Sequence, residues 1–221
     1  MNPEIYRKEN HKTHHMKIAI IGSGNVGGAL AQKWIKAGHQ VLIGARFPLS
    51  EKSISLATKI GEDRFTSIQS AVKQSEIILI ATPAMMAVEV AKSLGDTTGK
   101  VIIDTANIVM GRGPEGYNNT ADAILANTQT DKVIKCFNTA GFNNMIDPNY
   151  NGEAIDVFMA GNDSQAKQQV AQLALDAGFA ACYDVGGNDR FFLMEQFAFF
   201  WINLAMFQGQ GREIGFKLLK R

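Results

Sequence analysis

A chain of 221 residues, 46% of them hydrophobic, can bury one sizeable core and leave a small appendage. Its formal charge of +1 offers no electrostatic footprint for nucleic acid or an anionic membrane surface, and no apolar run reaches the ~18–20 residues that span a bilayer. Cys136 and Cys182 have no metal-type spacing around them, so they read as buried thiols of a reducing compartment, and no metal site is expected.

Residues 1–16 are polar, carry His11, His14 and His15, and contain no apolar segment of the kind that marks secretion. They are expected to form a flexible tail, with Met16 at the edge of the folded body, and the protein is expected to be cytoplasmic. Ile18-Ala19-Ile20-Ile21 then reads as a strand buried on both faces. Gly22-Ser23-Gly24-Asn25-Val26-Gly27 follows it, and a helical stripe of Val26, Leu30, Trp34 and Ala37 closes at Gly38. Strand, glycine turn and helix together form the context in which GxGxxG marks a dinucleotide site. Gly22 permits the tight turn, Gly24 lets the backbone approach a pyrophosphate, and Gly27 packs helix on strand so that its first amides face the phosphates.

The second strand, Val41-Leu42-Ile43, ends in Gly44-Ala45-Arg46. An Asp or Glu stands about there, ~20 residues past the fingerprint, when the ribose 2′-hydroxyl of NAD is bound. Between Lys17 and Ser50 this chain has no acid. Arg46 can instead hold a 2′-phosphate through charge-assisted hydrogen bonds, small Ala45 leaves room, and Lys52 is a second candidate charge. The cofactor expected is therefore NADP(H).

Alternation continues down the chain. Helical stretches at 53–60 and 67–74 flank a brief strand near Phe65, and Ile77 to Ala81 is a buried strand broken by Thr82-Pro83. Helix 84–94, strand 101–104, a long loop through Gly116 and helix 121–127 come next. Strands at 133–137, 155–160 and 181–185 enclose a helix at 164–177, which Asp163 is placed to cap. This order means an α/β protein with a doubly wound parallel sheet, a Rossmann domain over 17–186 and a helical appendage over 187–221. The loop 105–120 is either a lid or simply a mobile connection.

Ligands of such sheets bind outside the carboxyl ends of the strands. Those ends supply Thr82-Pro83, Asp104 through Asn107 and Asn138-Thr139-Ala140, which are rich in amides and poor in acid–base groups. His39, the one histidine of the folded body, falls at the opposite end. Asp104 is a candidate proton donor, although an Asp there more often bonds neighbouring turn amides. Hydride transfer to an acceptor already built to receive it, such as FMN, FAD or a deazaflavin, needs no side-chain acid.

The fingerprint, Gly44-Ala-Arg46, Thr82-Pro83 and the closing Asn203-x-x-Met206-Phe207…Gly215-Phe216-Lys217-Leu218-Leu219 resemble the deazaflavin (coenzyme F-420)-dependent NADP oxidoreductases. Through Asp104-Thr-Ala-Asn107 and Lys135-Cys-Phe-Asn-Thr139 the chain is also similar to the cytosolic reductase domain of the six-transmembrane metalloreductases. The resemblance implies a fingerprint turn on the pyrophosphate, Ser23 and Arg46 on the 2′-phosphate, and backbone near Ala140 at the nicotinamide. It also implies a second cofactor against the C-terminal helices. The acceptor side departs from the deazaflavin enzymes, whose corresponding segments are more apolar or contain His.

Phe191 to Gln208 is apolar around its full circumference, with Phe199, Phe200 and Trp201 at its centre. It is expected to serve as core, pocket wall or the interface of a homodimer, with the dimer favoured because few residues remain to cover a second face. The function expected is hydride transfer from NADPH to a flavin-type small-molecule acceptor. The alternatives are a reductase of a small C=N or C=O substrate and a non-catalytic NADP-binding regulatory module.

Overall fold

The computed structural model describes residues 5–7, as backbone, and 15–221. Strands β1 (Ile5–Arg7) and β2 (Lys17–Ile21) precede helix α1 (Asn25–Lys36), and β3 (Gln40–Gly44), α2 (Glu51–Ile60), β4 (Phe65–Thr66), α3 (Ile68–Lys73) and β5 (Ile77–Ile80) follow. The chain continues through α4 (Ala87–Ser93), β6 (Val101–Asp104), α5 (Thr120–Ala126), β7 (Val133–Cys136) and α6 (Phe142–Ile146). A hairpin of β8 (Asn149–Tyr150) and β9 (Glu153–Ala154) leads to β10 (Val157–Ala160), α7 (Ser164–Asp176), β11 (Ala181–Asp184) and α8 (Phe191–Ile202), which runs on as a π-helical turn over Asn203–Phe207. Among the described residues the main sheet is ordered β1-β11-β10-β7-β6-β5-β2-β3-β4.

The sheet separates two cores, and strand periodicity decides which residue joins which. Ile18 and Ile20 of β2, with Ile77 and Leu79 of β5, face α1 and α7, where Trp34 and Phe179 are buried. Ala19, Ile21, Ile78 and Ile80 face α4, α5 and Phe191. Both faces are apolar because helices cover both, as expected of a doubly wound fold. Each of these buried aliphatic side chains contributes roughly 1.5–3 kcal/mol. Asp163 caps α7 by accepting from the Ala166 amide, at 2.6 Å.

Two features depart from the simple alternation. Ile5–Arg7 pairs antiparallel with β11, so part of the expected tail extends the sheet edge; the rest of residues 1–14, with His11 and His14, lies outside the described residues. Strand β10 runs antiparallel to β7, whereas the pairs from β4 through β7 are parallel. No crossover helix joins β7 to β10 to carry the chain back to the other end of the sheet. The connection therefore stays at the carboxyl end of β7 and lays α6 over the region where ligands of this fold bind. It begins with a left-handed turn at Phe137 (φ 64°), whose ring is held in the core against Trp34 and Phe179.

Candidate functional site

The fingerprint turn is built as its glycines require. Gly22 has φ 117°, and a Cβ there would collide with the Ala81 carbonyl oxygen. A Cβ on Gly27 would strike the Gly22 carbonyl and Ile20 Cγ2, so these two glycines answer to packing inside the protein. Gly24 differs: a Cβ there would meet no atom within 4 Å. Space open in the protein at the uncapped start of α1 is the cradle a pyrophosphate needs.

Beyond the turn, Gly22, Ser23, Ala45, Arg46, Thr82 and Pro83 line one cavity of about 450 Å³. Ser23 Oγ lies 2.7 Å from Ser53 Oγ, which in turn donates to the Phe47 carbonyl at 2.9 Å. This hydroxyl chain ties the fingerprint to the loop that carries Arg46. Thr82 Oγ1 is buried and has no hydrogen-bond partner among the described residues, which leaves it a donor for a ligand in the cavity. The predicted residues thus come together, with two differences. Lys52 lines a neighbouring cavity with Ser23, Gly24 and Asn25, away from Arg46. Arg46 is also engaged already, its Nη1 2.7 Å from Glu89 Oε1, with both side chains 58% exposed.

A second cavity, of about 500 Å³, opens at the ends of β6 and β7. Its lining includes Val26, Asn107, Asn138, Ala140, Gly141 and Phe142, together with Trp201, Met206, Phe207 and Arg212 from the C-terminal region. Thr139 is buried, and only its neighbours Asn138 and Ala140 reach this cavity. Asn138 and Asn107 brace each other: the Asn138 amide donates to Asn107 Oδ1 at 2.9 Å, and Asn107 Nδ2 donates to the Asn138 carbonyl at 2.8 Å. Asn138 Oδ1 is left buried and unpaired among the described residues. Trp201 is itself buried, its indole donating to the Ile214 carbonyl, and Gly141 is glycine because a Cβ would overlap that indole. Trp201 is therefore a wall built within one chain, contrary to its expected place at the centre of a dimer interface.

Behind this cavity sits an ionic cluster that sequence reasoning did not find. Lys135 Nζ, fully buried, lies 2.7 Å from Asp104 Oδ2 and 3.0 Å from Glu195 Oε1. Thr120 Oγ1 donates to Asp104 at 2.6 Å, and the Ile108 amide donates to Glu195 Oε2 at 2.8 Å. Burial acts to lower the Lys135 pKa, but the two carboxylates outweigh it and hold the ammonium above its ordinary range. Asp104 Oδ1 accepts from the Ala106 amide, the turn bond expected of it. With both oxygens engaged and its side chain fully buried, Asp104 is out of reach as a proton donor to a substrate. Two signals were available: a lysine inside the buried strand Val133–Cys136, and one acid in the aromatic run of α8. Both cysteines are free and buried, and the Cys136 side chain and burial push the Cys182 pKa up. The described residues contain no group of three or more His, Cys, Asp or Glu that could hold a metal.

Residues 17–108 match the family NADP oxidoreductase, coenzyme F420-dependent. The matched segment carries the fingerprint, Arg46, Thr82-Pro83 and Asp104 to Asn107. Among solved structures, a candidate F420-dependent NADP-reductase from Arthrobacter sp. FB24 superposes with a TM-score of 0.81 at 25% identity, covering 93% of this chain and all of that one. A curated relative, metalloreductase STEAP3 of Rattus norvegicus, is 23% identical over 163 residues, 74% of this chain and 32% of its own. The chain thus spans about a third of that relative's length. A reductive aminase from Aspergillus terreus, solved with NADPH and ethyl-5-oxohexanoate, shares the fold (TM-score 0.63, 18% identity, covering 89% of this chain and 64% of that one). Both resemblances drawn from the sequence are found, and together with the site they support an NADP-dependent oxidoreductase. Among the described residues no helix is long and apolar enough to cross a membrane.

Proposed function

We propose that this protein uses NADPH to reduce a flavin or deazaflavin seated in the cavity beneath Trp201. The observation that carries this reading is the chemistry of that cavity. Among the described residues lining it, Arg212 is the one ionisable side chain, and an arginine does not donate its proton at neutral pH. Reduction of a C=O or C=N bond is helped by a proton donor placed beside the new bond, and none lines this wall. When bound, the nicotinamide supplies the hydride; the chain's own contribution is orientation and the exclusion of water. The fingerprint amides and Arg46 would hold the phosphates, Thr82 Oγ1 would donate to the cofactor, and the braced Asn107–Asn138 pair would hold the cavity open with one acceptor oxygen free.

Oxidation of NADPH, followed by absorbance with FMN, FAD and a deazaflavin beside a panel of imines and ketones, tests the proposal. Turnover confined to the ring acceptors supports it. Turnover confined to imines or ketones would replace it, and binding without turnover would favour a regulatory module.

Two substitutions sharpen the test. Arg46→Ala should weaken NADPH binding about ten- to hundredfold, the effect of one charge-assisted contact, and leave NADH nearly unchanged. Equal losses for both cofactors, measured by titration, would remove Arg46 from the 2′-phosphate. Asp104→Asn should lower kcat by far less than the roughly 10²–10⁴-fold that a general acid supplies, while lowering Tm. A loss of that size in folded protein would return the C=N or C=O reading.

A further inference from the structure

We infer that Glu89 sets the cofactor specificity of this site, supplying from α4 the acid that the end of β3 lacks. The inference rests on the NADP reading and deepens it. Arg46 and Glu89 line the same cavity as Ser23 and Thr82, and their 2.7 Å contact spans from the loop after β3 to the first turn of α4. A 2′-phosphate drawn to Arg46 must therefore enter beside a carboxylate that already occupies part of the guanidinium.

Two opposing consequences follow from charge alone. The carboxylate repels the phosphate and competes for Arg46, so it weakens NADPH. Toward NADH the same carboxylate is an acceptor for a ribose 2′-hydroxyl, the role an acid at a strand end plays in NAD enzymes. Both effects hold NADPH selectivity below what Arg46 alone would give. Because both side chains are more than half exposed, solvent screens the pair and the ion pair itself is easily broken. Selectivity should accordingly change without a change of fold.

The test is calorimetric titration of NADPH and NADH into wild type, Glu89→Gln, Arg46→Ala and the double variant. Glu89→Gln is expected to tighten NADPH roughly three- to tenfold and to leave NADH unchanged or weaker, so the ratio of the two affinities rises. In the Arg46→Ala background the gain for NADPH should shrink, because the competition for the guanidinium is gone. An acid that merely suits the start of α4 would lower Tm slightly on substitution and leave the ratio where it was, which would overturn the inference. Weaker NADPH binding by Glu89→Gln would overturn it too, because Glu89 would then be holding Arg46 in place for the phosphate. These two failures leave the NADP reading standing. A wild type and a Glu89→Gln variant that both bind NADPH no better than NADH would remove that reading and the inference together.

Discussion

Lys135→Met is expected to destabilise the fold by about 3–5 kcal/mol, the usual cost of breaking a buried ion pair by deleting one partner. The substitution leaves Asp104 and Glu195 facing each other in a site without solvent, each still receiving a neighbouring amide but no cation. Chemical denaturation at neutral pH should show the loss as a lower midpoint at unchanged slope. The contribution also has a definite pH window. The folded-state pKa of Lys135 is raised above the unfolded one. Its stabilisation is thus complete below the ordinary lysine value of about 10.4 and is lost only as pH rises through the higher folded value. The difference between wild type and variant should stay level from neutrality to that range and narrow above it. A variant as stable as wild type would mean that the cluster adds nothing net, as some buried ion pairs do.

A symmetric dimer formed through α8 and its extension is the second expected result. Phe192, Leu193, Phe199, Phe200, Met206 and Phe207 are all about half exposed, an apolar stripe of the kind that marks a partner surface. The C-terminal segment covers only part of it: Phe216 stacks on Phe197 and Phe200, and its carbonyl accepts from the Asp156 amide. Met206 and Phe207 belong both to the stripe and to the lining of the cavity that Trp201 borders, so a second copy would complete that wall. Phe192→Asp with Phe199→Asp is the suitable variant, because Trp201 is core and its replacement would disturb the fold. A symmetric pair loses four ring contacts, and at about 1.5 kcal/mol each the dissociation constant should rise more than a thousandfold. Light scattering at micromolar concentration should show a dimer for wild type and a folded monomer of reduced activity for the variant. A wild type that is monomeric and fully active would assign the stripe to another role.

Much of the site was legible because its chemistry is local in sequence. The fingerprint glycines, Thr82-Pro83 and Arg46 each follow a buried strand, and parallel pairing of β2 with β3 and β5 brings the three strand ends side by side. Asp104 was legible in one respect, the turn bond to Ala106. Its partner Lys135 was not, since β6 and β7 must pair before their ends can share a charge. Glu89 escaped for the same reason. The stretch after the fingerprint contains no acid, and the acid that pairs with Arg46 arrives from another helix. Lys52 is the converse case, close to Arg46 in sequence but carried by α2 to a neighbouring cavity that it lines with Ser23, Gly24 and Asn25.

By itself, then, the sequence determined the doubly wound sheet and the dinucleotide turn, and it set Arg46 rather than an acid at the end of β3. Each depends on periodicity, glycine conformation or one side chain at a strand end, and these are properties of a few consecutive residues. Only the tertiary structure decided the antiparallel β10, the ionic cluster of Lys135, Asp104 and Glu195, the burial of Trp201 and the pairing of Arg46 with Glu89. Each of these joins residues far apart in the chain, and a contact between distant residues is chosen by how layers pack, which no local pattern encodes.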